Sequence, residues 1–369
     1  MMKKYYLLLL FLFLAWGIKA QISQKADSTL SPEEIRYRDS IAQLNEKARQ
    51  LQLSQEAYND GIKSFDAKSY PQAIRLFNKA IELNPDFDKA RYNRGIAKFA
   101  DNDFQGCLDD MNYLLDKDKT NMTALSKRAE TYTQLGEYQK SVMDYQAVIQ
   151  KEPTNFKTFY LLAEVQFLMA RYDEALNNLN KAIQLKPDFA RAYNDRASCY
   201  RKLEKLQDAL KDQQKAIQLD PSQAFFYNNL GSIKRNLGDN SGAITEYSKA
   251  IEKDPSYFIA YDNRGSVYLE QKNTALALAD FNKSLEINAT YAVAYNNRGI
   301  LHHQQGNYEK AIADFNKAIE NNKDYGLAYL NRGISKEMIK DAEGACSDWK
   351  KAMELGIKPA SQFYSIDCE

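Results

Sequence analysis

The chain has 369 residues, of which 50 are Lys or Arg and 49 are Asp or Glu, with only two histidines. This balance has no basic excess and no long like-charge block, which argues against a nucleic-acid-binding protein. Residues 1–20 have a secretory design: Lys3 and Lys4 precede an apolar stretch from Tyr5 to Ile18, and small Ala20 marks the expected cleavage point. Fourteen apolar residues fall short of the roughly 20 that a bilayer span needs, so a cleaved signal peptide is expected rather than an anchor. No Cys follows the core to take a lipid. The remainder is then exported, periplasmic or secreted, and no later segment could span a membrane.

Residues 21–30 read as a polar tether. Ser31-Pro32-Glu33-Glu34 is a helix start, with Ser as cap and Glu three residues on. Tyr37, Ile41, Leu44, Ala48 and Leu51 follow at 4-3-4-3 spacing as one apolar stripe. The stripe is expected to cap what comes next. A short dimerising coiled coil is the other reading, disfavoured by a length of about two heptads.

From Ser54 to Pro359 the chain is nine 34-residue repeats without insertion or deletion, beginning at Ser54, Asp88, Met122, Phe156, Ala190, Ala224, Phe258, Ala292 and Gly326. Position 8 is always Gly or Ala, and position 20 is nearly always small, as in Ala73, Ala175 and Ala311. Position 24 is usually large, as in Phe77, Tyr247, Phe281 and Trp349. Pro85, Pro153, Pro187, Pro221 and Pro255 at position 32 stop a helix in five repeats. The apolar spacing within each half is helical, not alternating. Many of the 25 tyrosines fall at repeated positions and read as packing.

This pattern resembles the tetratricopeptide repeat family, over more than four-fifths of the chain. The resemblance implies an all-α, right-handed α-solenoid of nine helix-turn-helix repeats, with a concave groove lined by the first helix of each. The expected organisation is a signal peptide (1–20), a tether and capping helix (21–53), nine repeats (54–359) and a C-terminal tail (360–369).

Comparing the nine copies with each other adds two features. Position 7 is Arg in six repeats and position 23 is Asp in the same six: Arg94 with Asp110, Arg128 with Asp144, Arg196 with Asp212, Arg264 with Asp280, Arg298 with Asp314, and Arg332 with Asp348. Where position 7 is Leu162 or Leu230, the Asp becomes Asn178 or Glu246. Such paired change implies a salt bridge between the two helices of a repeat. Position 6 is Asn59, Asn93, Asn229, Asn263, Asn297 or Asn331 in six repeats, and position 5 adds Asn194, Asn228 and Asn296. Asn is a poor mid-helix residue. In the family these positions face the groove, where an amide column could hydrogen-bond an extended peptide's backbone. The column resembles the asparagine ladder in the repeat superhelix of O-linked N-acetylglucosamine transferase. Tyr58, Tyr92, Phe99 and Tyr160 are candidate apolar pockets beside it. A solvated polar face is the bland alternative. The Lys and Asn set of the family's carboxylate clamp is missing.

Cys107 and Cys199 sit at apolar repeat positions and read as buried thiols. Cys346 and Cys368 are candidates for a disulfide stapling the tail to the last repeat. His302 and His303 are helix neighbours pointing in different directions, so they make no joint metal site. No catalytic motif, cofactor loop or zinc spacing is present, and no small-molecule substrate is expected. The expected function is a non-enzymatic scaffold for peptide or protein partners; a structural subunit of an envelope-associated assembly is the alternative.

Overall fold

The computed structural model describes residues 30–368. Among them are nineteen helices and no strand. The expected signal peptide and nearly all of the tether lie outside the described residues. Each repeat is a helical hairpin, such as Asp88–Ala100 with Phe104–Lys117. The chain divides into two compact bodies, residues 1–153 and 154–369. Within each body, successive first helices approach one another more closely than successive second helices do. The first helices therefore line the inner side of the stack.

The turn between paired helices has a fixed backbone signature. Position 15 has positive φ in all nine repeats: Gly136, Gly238 and Gly306 take it freely, while Lys68, Asn102, Ala170, Glu204, Lys272 and Lys340 take it with a Cβ. Where Asp103, Asp239 and Asp341 follow, the side chain accepts the N–H of Gly106, Gly242 and Gly344 at 2.8–3.0 Å and caps the second helix.

Packing within a hairpin rests on positions 8 and 24. An added Cβ on Gly299 would lie 2.6 Å from Phe315, and one on Gly231 would lie 2.7 Å from Tyr247. Repeat four shows the alternative solution, with Ala163 beside the smaller Leu179. In five repeats the missing methyl thus makes room for an aromatic ring, whereas repeat three holds Ala129 and Tyr145 at the same two positions.

Both ends differ from expectation. The N-terminal segment is no separate cap: a single 35-residue helix, Pro32–Asp66, runs through into the first repeat. Its buried residues are Ser54, Ala57 and Gly61 alone. Tyr37, Leu44 and Leu51 are 41%, 60% and 44% exposed, so the stripe caps nothing. The cause is continuity: an unbroken helix carries its early turns past the hairpin they would have to cover. The C-terminal tail is itself a helix, Ala360–Asp367. Phe363 stacks on buried Trp349 at 5.4 Å, and a Cys346–Cys368 disulfide ties the segment to the last repeat. Cys107 and Cys199 are buried free thiols, and burial pushes the Cys199 thiol up to about 12.

Gly299→Ala should destabilise the protein by about 1–3 kcal/mol through overpacking. In a Phe315→Leu background the added methyl should cost much less. Urea denaturation of the four variants checks this; an equal cost in both backgrounds would refute the pairing of the two positions.

Candidate partner-binding face

The first helices carry two polar layers. In the deeper one, each of the six arginines forms a fork onto its own Asp. Arg Nε donates to Asp Oδ2 at 2.6–2.9 Å, and Nη2 donates to Oδ1. The carboxylates are buried. Nη1 reaches back to position 25 of the preceding repeat, at 2.6–2.9 Å: Asn78, Asn112, Asn180, Ser248, Asn282 and Asn316. One guanidinium therefore joins three helices in two repeats. Repeats four and six, which lack the Arg, move the bond one helical turn along. Asn178 donates to Gln166 at 2.7 Å, and Lys234 pairs with Glu246 at 2.8 Å.

The second layer is the amide column, and its two positions have different roles. The position 6 side chain bonds to position 5 of the preceding repeat. Asn93 donates to the Tyr58 hydroxyl at 2.8 Å, Asn229 to Asn194 at 2.9 Å, Asn263 to Asn228 at 2.8 Å, and Asn331 to Asn296 at 2.9 Å. Asn297 donates to both oxygens of Asp262, at 3.0 and 3.1 Å. These are rungs between repeats. They explain why helices tolerate so many asparagines, because a buried amide acceptor needs a donor.

The ladder corrects the expected site. Asn194, Asn228 and Asn296 are buried and spent on the rungs, so they are closed to a peptide. Asn93, Asn229, Asn263, Asn297 and Asn331 are half-buried. Each commits an N–H to its rung and keeps Oδ1; Asn297 also donates to the Ser266 hydroxyl at 3.3 Å, so the other four keep a second N–H. Asn59 is exposed and accepts from Gln55 at 2.9 Å. The aromatic pockets are filled by the protein itself. Tyr58 packs on Phe87 at 4.9 Å, and Tyr160 on Phe189 at 4.9 Å. Tyr92 and Phe99 pack on the core around Met111, and the Lys127 ammonium lies 4.2 Å over the Phe99 ring. For the three tyrosines the cause is the same: position 5 faces the next repeat before it faces the groove, while Phe99, at position 12, is covered by Lys127 of the next repeat.

Acidic groups interrupt the ladder at two places. Tyr160 donates to Glu164 at 2.8 Å and also neighbours Asp195, which occupies position 6. Burial raises the pKa of both carboxyls, more than their hydrogen bonds lower it. Asp262 stands where three other repeats have Asn. Burial pushes its carboxyl up to about 6, against lowering by the Asn297 hydrogen bond and Arg235. The histidines serve different neighbours: His303 Nδ1 meets Ser335 Oγ at 2.9 Å, whereas His302 Nε2 lies 3.8 Å from Asp314. Among the described residues no cluster of His, Cys, Asp or Glu could hold a metal ion, and no helix is long and apolar enough to cross a membrane.

Two predictions follow from these layers. Arg264→Ala leaves a buried carboxylate unpaired and should cost about 3 kcal/mol, well above a surface pair. In an Asp280→Ala background the same change should cost under about 1 kcal/mol, as read by a double-mutant cycle. For Asp262, the folded protein holds its proton to higher pH than the unfolded chain does. Between the ordinary value of 3.8 and about 6, the folded state thus binds more protons. Stability therefore falls as pH rises through that window and stays lower above it. Asp262→Asn should flatten this dependence and raise stability at pH 7–8 by up to roughly 3 kcal/mol; melting curves across pH test it.

Comparison with known proteins agrees with this architecture. The family model described as tetratricopeptide repeat matches residues 292–325, and a TPR repeat model matches 231–272 and 265–306. The model of the ETO1 C-terminal domain matches residues 26–230, more than half of the chain. No curated protein matches. Among solved structures, a chain of the APC/C hetero-tetramer Cut9–Hcn1 has a TM-score of 0.56 at 14% identity, covering 86% of this chain and 76% of that one. Yeast Tom70 gives 0.48 at 14% identity, with 85% and 95% covered. YrrB, described as a TPR protein with an unusual peptide-binding site, gives 0.38 at 22%, with 50% and 95% covered. At these identities the Cut9–Hcn1 likeness shows the fold alone. With its hairpins, its period and these family matches together, the chain belongs to the tetratricopeptide repeat family.

Proposed function

We propose that this protein is an exported, non-enzymatic scaffold that holds an extended peptide segment of a partner along the inner face of residues 154–369. The tetratricopeptide array is a protein-interaction scaffold. The observation that carries the finer reading is the state of the position 6 amides. Asn229, Asn263, Asn297 and Asn331 are each pinned by a rung, at 2.8–3.1 Å; all four keep the amide oxygen as acceptor, and Asn229, Asn263 and Asn331 also keep a donor. Pinning removes rotamer freedom before a ligand arrives, which lowers the entropy cost of binding. Packed helices lie about 8–10 Å apart, and an extended peptide advances about 3.3 Å per residue. Each rung would then meet roughly every third peptide residue. Amides that contact the backbone read conformation rather than sequence, so specificity falls to neighbours such as exposed Arg191 and Leu327. Export is supported by the secretory design of residues 1–20 and by a disulfide, a bond suited to an oxidising compartment.

The test is crosslinking with affinity capture, comparing three proteins against wild type. Asn229→Ala with Asn263→Ala and Asn297→Ala removes the amides. Leu327→Glu alters the inner face and spares the ladder. Leu276→Glu with Met353→Glu alters exposed side chains of the second helices. Circular dichroism and melting curves identify variants that have unfolded. Capture should fall in the first two and persist in the third. The reverse pattern would overturn the groove reading in favour of an assembly subunit that uses its second helices.

A further inference from the structure

Position 12 of the first helix is Arg in two adjacent repeats only, Arg201 in repeat five and Arg235 in repeat six; the repeats on either side have Phe167 and Leu269. Both arginines lie in the last turn of their helices, Ala190–Lys202 and Ala224–Asn236, and both are half-buried. They approach the same group. Burial raises the pKa of the Tyr247 hydroxyl, while the Ser232 hydrogen bond and the charges of Arg235 and Arg201 oppose that rise. The hydroxyl meets Ser232 Oγ at 3.2 Å, one helical turn from the Asn229 rung.

The two arginines differ in what balances them. Arg235 Nη2 bonds to Glu270, at position 13 of the next repeat. The equivalent neighbour of Arg201 is Asn236, an exposed amide without charge. Among the described residues Arg201 makes no ion pair. The preference of a last helical turn for a cation is already met by exposed Lys202. A half-buried guanidinium has lost part of its water, and a second one against the same tyrosine adds to the positive potential there.

We propose that Arg201 receives an Asp or Glu side chain of the extended segment held on the inner face, as Arg235 receives Glu270. The inference rests on the groove reading above and adds one property of the partner: an internal acidic residue at the step between repeats five and six. A carboxylate suits the planar fork of the guanidinium, which can meet both oxygens at once. The requirement is local. Position 2 in repeats six to nine is Phe225, Ile259, Val293 and Leu327, so the rest of that edge is apolar.

The test is retention of a random peptide pool, acetylated and amidated at its ends, on the immobilised full chain. Retained peptides should be enriched in Asp and Glu over the input. For one enriched peptide, Arg201→Gln should weaken binding about tenfold, the size of one charge-assisted contact. Added salt should shrink that difference. Asn236→Glu should weaken the same peptide, by giving Arg201 a carboxylate of its own. Arg201→Glu should replace the acidic enrichment with Lys and Arg. Circular dichroism and melting should be unchanged in all three variants. Asn229→Ala with Asn263→Ala and Asn297→Ala should instead lower retention of every peptide, acidic or not. Retention without acidic enrichment would overturn this inference and leave the groove reading standing. So would an enrichment that survives both Arg201→Gln and Asn236→Glu, or one that appears only in a pool with free C-termini. Retention of no peptide at all would overturn both readings.

Discussion

A guanidinium held from two sides sets the step of this array. Each position 7 Arg grips its own repeat through a buried carboxylate and the preceding repeat through Nη1. The hairpin and the junction therefore share one rigid planar group with five donors in fixed geometry. The rungs of the outer layer depend on that spacing, since a shift of 1 Å would take a 2.8 Å amide bond out of range. Close packing of Gly299 on Phe315 fixes the same distance from the apolar side. The inner face is thus assembled from contacts that each demand the same geometry.

Three repeats lack the Arg: repeat one has Asp60 and Leu76 at the two positions and so no position 23 acceptor to pair, while repeats four and six show how firmly that demand is kept. In repeat six, Leu230 is followed one turn later by Lys234, which meets Glu246 from a different direction. The extra carbon of Glu246, compared with Asp, suits the displaced donor. In repeat four a neutral pair, Asn178 and Gln166, occupies the corresponding place. The buried acceptor is never simply abandoned, consistent with the cost of an unpaired polar group in a packed interior.

Much of this was legible in the sequence, for physical reasons. A constant period fixes which residues are equivalent. Change in step, Arg264 with Asp280 against Leu162 with Asn178, then reveals contact within a repeat. The ladder stayed hidden because its partners sit at different positions of adjacent repeats. Asn263 had to be compared with Asn228, and Asn297 with Asp262, rather than with each other. The recurring Asn at position 25 was equally visible, and it too meant nothing until set against the Arg of the next copy. Tyr58 and Tyr160 look like open pockets in the sequence because composition marks a residue as apolar without saying which neighbour arrives first. The stripe from Tyr37 to Leu51 failed similarly: periodicity identifies an apolar face and is silent about what covers it.

The covalent staple lies at one end of the chain. In a stacked array each repeat leans mainly on its neighbours, so stability depends on where an opening can begin. Cys346–Cys368 and the Trp349–Phe363 stack close the C-terminal end of the second body. Opening from that side must first break or swing aside a cross-linked helix. The last repeat is thereby held where an array would otherwise fray freely. A reductant would free that end without touching any residue of the inner face.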